Sequence, residues 1–168
     1  MKKTVRYILY IIASALLVFL DQFTKAIIVR DLKGKENIVW IKNVFELEYL
    51  ENTGAAFSSF MGKQGFLITL TVFVMALCIF EFVRIPDSKR FFLLKFTGLL
   101  LISGAIGNLI DRIKQGYVVD FFYFVPINFP RFNVADIYVT VSMFLLIVLI
   151  VFYYKDEELE FLFKFKKK

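Results

Sequence analysis

Two aspartates lie sixteen positions apart in apolar surroundings. Asp120 stands in "YVVDFFYFV" with no basic residue within five positions on either side, and Asp136 ends "RFNVAD", just before a stretch apolar enough to cross a bilayer. Desolvation pushes a carboxyl with such flanks toward its neutral form. If the two came together they would share one proton, because like charges a few ångströms apart do not readily both ionise. A pair in that state can hydrolyse an amide: the ionised member takes a proton from water, and its protonated partner donates to the carbonyl oxygen. The dipole of the following helix, with Asn133, favours the charged form at Asp136 and makes it the base. The apolar flanks favour the neutral form at Asp120 and make it the proton donor.

Other polar residues gather near the same level of the chain's apolar segments. Asp21 and Lys25 close the first segment, Asn108, Asp111 and Arg112 close the third, and Asn52, Asn133 and Asp136 flank the rest. An ionisable group at the centre of a spanning helix costs roughly 2.5–3.5 kcal/mol on insertion, so each needs a reason. Each also has an ordinary structural explanation. Asp21 and Lys25, spaced i, i+4, suit a self-contained ion pair with Lys25 snorkelling outward. Asn108, Asp111 and Arg112 share a helix face, and Asp111 suits a tie to Arg112 or to another helix. Asp136 suits an N-cap. Competing chemistry is thin: Ser58 or Ser59 with Lys63, or Ser103 with Lys25, would make a Ser/Lys dyad, but no spacing singles them out. With no histidine and one cysteine, Cys78, the chain lacks the ligands of a zinc protease and any internal disulfide.

The elements that must position these residues are membrane helices. Of 168 residues, 59% are hydrophobic, with a mean hydropathy of +0.69, beyond what a soluble domain of this size carries. Four spans are expected, at about 5–29, 65–83, 91–113 and 137–154, in a single membrane-embedded domain covering 1–168. The basic start followed by an apolar run mimics a secretory signal, but no small-residue cleavage site precedes "DQFTK", so it reads as an uncleaved first span. With four spans both termini share a side. That side carries twelve of the twenty-one basic residues against six acidic ones, while the other balances nine against nine. The positive-inside rule then makes the termini cytoplasmic. The basic surplus orients the chain and calls for no nucleic acid. The outer segment 30–64 holds "NVFELEYLEN", whose near-alternation of Phe45, Leu47 and Tyr49 with Glu46, Glu48 and Glu51 suggests one or two strands lying on the outer leaflet. The outer segment 114–136, with Pro126 and Pro130, is expected to be irregular or partly helical.

Five motifs occur in order: "DQFTK" (21–25), "ENTGAAFS" (51–58), "SGAIGNLIDR" (103–112), "GYVVDFF" (116–122) and "FNVAD" (132–136). With the four-span layout they make the chain resemble the bacterial lipoprotein signal peptidases (signal peptidase II), four-helix membrane aspartic proteases, along nearly its whole length. The resemblance implies an enzyme of the cytoplasmic (inner) membrane that cuts lipid-modified prolipoproteins before the lipidated cysteine. It implies Asp120 and Asp136 as the catalytic pair, and supporting or substrate-contacting roles for Asp21, Lys25, Asn52, Gly54, Asn108, Asp111, Arg112 and Asn133. It further implies an all-α membrane fold with a small β-like cradle and a loop or short helix over the groove, no cofactor or metal, action as a monomer among membrane lipids, and inhibition by globomycin-type compounds. The family usually reads Gly-Gly-Ala where this chain has Ser103-Gly104-Ala105.

A small proton-coupled transporter or channel is the alternative, since intramembrane carboxylates also mark ion paths. That reading wants polar residues through the bilayer midplane, whereas the inner halves of these spans hold only Glu81 and Lys95, near the cytoplasmic edge.

Overall fold

A computed structural model describes residues 3–54, 59–60 and 62–163. In chain order it contains α1 (Lys3–Leu32), β1 (Ile38–Ile41), β2 (Phe45–Asn52), α2 (Gln64–Arg84), α3 (Phe92–Gln115), β3 (Val118–Phe124), α4 (Val134–Val148, continued by a π-helical turn to Tyr153) and α5 (Asp156–Phe163). The helices 3–32, 64–84, 89–115 and 134–153 are each long and apolar enough to cross a membrane. Phenylalanine, leucine and isoleucine side chains stand outward along them, Phe152 being 80% exposed. A soluble fold would bury that surface; here it faces lipid.

The third helix is the hub, packing on α1, α2 and α4. Small residues allow the close approach. A Cβ on Gly104 would fall 2.6 Å from the Ala135 carbonyl oxygen on α4, and one on Gly107 would fall 2.6 Å from Oδ2 of Asp21 on α1. Ser103 is fully buried; its hydroxyl bonds the Leu99 carbonyl at 2.7 Å and meets Ser14 Oγ at 2.8 Å. The buried stripe of α1 is Asp21, Lys25, Ile28 and Leu32, spaced by four, three and four residues, so one helix face carries polar residues first and apolar ones after them.

The three strands form one antiparallel sheet in the order β1-β2-β3. The segment expected to be irregular therefore supplies a strand. Its run "VVDFFYF" is β-branched and aromatic, and the prolines lie beyond it, where they end the strand without interrupting its pairing. Val119 and Phe121 pack against Ile28 and Leu32 of α1, and Asp120, between them, points to the opposite face. After a short 3-10 turn the chain returns: Phe122 N–H donates to the Phe132 carbonyl at 2.8 Å, and Phe132 N–H donates back at 3.1 Å. This bridge folds the sixteen-residue separation between the two aspartates back on itself.

Candidate active site

The fourth helix begins at Val134, three residues before the expected start, and its cap is not Asp136. Asn133 is the N-cap: its Oδ1 accepts from Asp136 N–H at 3.0 Å, while Asp136 Oδ2 accepts from Asn133 N–H at 3.0 Å. This reciprocal capping box satisfies two of the helix's orphan donors at once. Asn133 wins the cap position because it has extended backbone torsions and a side chain within reach of the third helical N–H. Asp136 is then left with Oδ1 free to accept from Asn108 Nδ2 at 2.8 Å.

The two asparagines tie the aspartates together. Asn133 Nδ2 donates to Asp120 Oδ1 at 2.7 Å and to Asn108 Oδ1 at 3.1 Å. Asn52 Nδ2 donates to Asp120 Oδ2 at 2.8 Å; its own Oδ1 accepts from Gly54 N–H at 2.9 Å, which fixes the amide's orientation. Burial, reinforced by the neighbouring charge of Asp136, pushes the Asp120 carboxyl up to about 7, against the opposing hydrogen bonds from Asn52 and Asn133. Both aspartates line a cleft of about 710 Å³, together with Asn52, Asn108, Arg112 and the segment 128–132.

Behind the pair lies an ionic layer. Lys25 does not snorkel outward: its ammonium is buried, 2.9 Å from Asp21 Oδ2 and 2.9 Å from Asp111 Oδ2, and it donates to Asn108 Oδ1 at 3.0 Å. Acceptors from two helices converge on it, so turning inward satisfies the three donors of the ammonium. Asp111 accordingly ties to α1, and it also accepts the Val119 N–H at 3.3 Å, instead of pairing with Arg112. Asp21 Oδ1 accepts the Ala135 N–H at 3.0 Å, linking the far end of α1 to the start of α4. Arg112 turns the other way and donates to the Gly54 carbonyl at 3.1 Å. Its Nε has no hydrogen-bond partner among the described residues.

All ten residues singled out from the sequence thus meet in one assembly. Ser103 is engaged with Ser14, away from Lys25; Ser58 lies outside the described residues, and no hydrogen bond among them links Ser59 to Lys63. Two participants went unnoticed in the sequence. Gln22 donates to Asp111 Oδ1 at 2.8 Å and to the Gly107 carbonyl at 3.2 Å. Arg131, gripped by Glu48 at 2.8 Å with its guanidinium 3.9 Å from the Tyr123 ring centroid, walls the cleft. Both sit inside or beside recognised motifs, and their neighbourhood was the available signal.

Residues 13–152 match the family model for signal peptidase (SPase) II. The chain belongs to the signal peptidase II family. A lipoprotein signal peptidase of Clostridium tetani is 46% identical over 145 residues, covering 84% of this chain and 91% of that one. One from Streptococcus thermophilus is 40% identical, covering 83% and 90%. A solved bacterial membrane enzyme, determined by the in meso method at 2.3 Å, superposes with a TM-score of 0.75 at 27% identity, covering 95% of this chain and 93% of that one. A second, at 1.9 Å, gives 0.75 at 30% identity, covering 85% and 92%. As a member of that family the chain is a hydrolase of the aspartic peptidase type and a multi-pass membrane protein, and nothing in these likenesses favours a transporter.

Proposed function

We propose that Asp120 and Asp136 are the catalytic pair, and that the enzyme cuts diacylglyceryl-modified prolipoproteins before the lipidated cysteine. The observation that carries this reading is the amide bridge: the side chains of Asn108 and Asn133 bind each other and each donates to one of the two carboxyls, at the wall of the cleft.

Asp136, in the first turn of α4 at the positive end of the helix, is the base, and Asp120 carries the proton. Asp136 takes a proton from water as the oxygen bonds to the scissile carbonyl carbon, and Asp120 gives its proton to the carbonyl oxygen. A gem-diol results. Asp136 then protonates the amide nitrogen as the C–N bond breaks, Asp120 recovers a proton from the diol, and both groups return to their starting state. Asn52, Asn108 and Asn133 orient the carboxyl oxygens, and Arg112 lines the cleft beside them.

The site lies at the end of the bundle away from the termini. With the termini cytoplasmic in the inner membrane, it stands at outer headgroup depth. A substrate with its acyl chains in the outer leaflet and its signal helix across the bilayer presents its scissile bond there. One chain supplies both carboxyls and the cleft, so a monomer suffices, and globomycin-type inhibitors would occupy the same cleft.

Asp120→Asn and Asp136→Asn, made separately and purified in detergent, should express normally. Cleavage of a diacylglyceryl-modified precursor should fall by at least about a hundredfold in each. Full activity in either variant would sink the assignment.

A further inference from the structure

On the flank away from the dyad, α1 and α2 both pack on α3 and leave a groove of about 450 Å³ between them. Tyr7, Ile11, Ala15 and Val18 of α1, Phe82 of α2 and Ile102 of α3 line it. Ser14, also in the lining, has its hydroxyl occupied by Ser103, so the interior is apolar. From Tyr7 to Val18 the helix rises about 17 Å, close to the roughly 15 Å depth of one leaflet's hydrocarbon. The groove thus begins at the termini end of the bundle and stops near the midplane.

Its mouth is cationic. Three cations, Lys3, Arg6 and Lys95, gather around the carboxylate of Asp87. Arg6 reaches Asp87 at 3.2 Å, and the buried Lys95 is bonded to it, its ammonium lying 5.9 Å from the Tyr7 ring centroid and 5.5 Å from that of Tyr10. Lys3 stands 5.9 Å from the Tyr7 centroid on the exposed side. Among the described residues, three cations thus meet Asp87 beside an apolar slot one leaflet deep.

We propose that this groove is a binding site for an anionic glycerophospholipid, with an acyl chain between α1 and α2 and the phosphate at Lys3 and Arg6. A zwitterionic lipid fits the slot equally well, but its headgroup amine adds a positive charge to a mouth where Asp87 is already engaged by Arg6 and Lys95. The site takes one leaflet's lipid independently of the peptidase dyad and needs only the membrane setting of the family.

The test is native mass spectrometry of the full chain, delipidated in detergent and then exposed to phosphatidylglycerol or phosphatidylcholine with identical acyl chains. Wild-type protein should retain phosphatidylglycerol in preference to phosphatidylcholine. That preference should fall about fivefold for each of Lys3→Gln and Arg6→Gln. Ala15→Trp, which fills the slot and leaves the charges intact, should lose retention of both lipids. Thermal unfolding of each variant distinguishes a lost site from a lost fold, and because Ala15 faces lipid and Asp87 keeps Lys95, all three should fold. Equal retention of the two lipids by wild type, an undiminished preference in the glutamine variants, or persistent retention by folded Ala15→Trp would each overturn the proposal.

Discussion

Asp120 accepts two side-chain amide N–H groups, from Asn52 and Asn133, and is nevertheless held near 7 because burial and Asp136 outweigh them. Two consequences follow from the sign of that shift. The mechanism needs Asp120 protonated, so cleavage should decline as pH rises through about 7, and a pH–rate profile of kcat/KM would show a falling limb there. Stability should move the same way. With its pKa raised above the ordinary carboxylate value, Asp120 keeps its proton in the fold where the unfolded chain has lost it, so the fold weakens as pH rises from about 4 to about 7. Thermal unfolding in detergent across that window should show a slope that flattens in Asp120→Asn.

At the scale of elements, the site depends on how closely three helices approach. Gly107 faces Asp21 with no room for a methyl group, and Asp21 in turn holds the Ala135 N–H at the start of α4 and the buried Lys25. Gly107→Ala should push Asp21 aside and separate α1 from α3 at the level of the dyad. Overpacking of this kind typically costs about 1–3 kcal/mol. Cleavage should drop by at least about tenfold with a lowered unfolding temperature, whereas Gly34→Ala, in open space at a positive-φ turn, should lower stability without that loss of cleavage. The capping box works on the same principle. Asn133 starts α4 and touches Asp120 with the same side chain, so the helix cannot begin elsewhere without undoing the pair.

At the scale of the whole molecule, the two ends of the bundle do different work. The far end holds the dyad, the ionic layer and the sheet; the termini end is closed by α5, which lies beyond the residues matched by the family model. Leu159 is buried there, Phe161 meets Phe91 edge-on, Tyr154 stacks on Phe91, and Glu158 takes Arg90 at 2.8 Å. Removing residues 156–168 should lower the unfolding temperature by several degrees and leave cleavage within about twofold, since among the described residues none of the hydrogen bonds around the dyad involves α5. An equal loss of activity would show that the two ends are coupled.

The spans were legible in the sequence because a bilayer imposes a simple length and polarity requirement that a linear pattern can meet or fail. So were the two aspartates, because a carboxyl among aromatic residues has few structural excuses. The strand carrying Asp120 was not, since its register is set by pairing with β2, over sixty residues away, and by packing on α1. Nor was the inward turn of Lys25: an i, i+4 pair reads as self-contained until a second helix, α3, brings Asp111 and Asn108. The sequence by itself determined that this is a membrane chain with carboxylates at one depth, because hydropathy and residue type are local properties. Only the tertiary structure decided which amide holds which oxygen, because the Phe122–Phe132 bridge and the close approach of α3 to α1 and α4 are what bring those atoms within hydrogen-bond range.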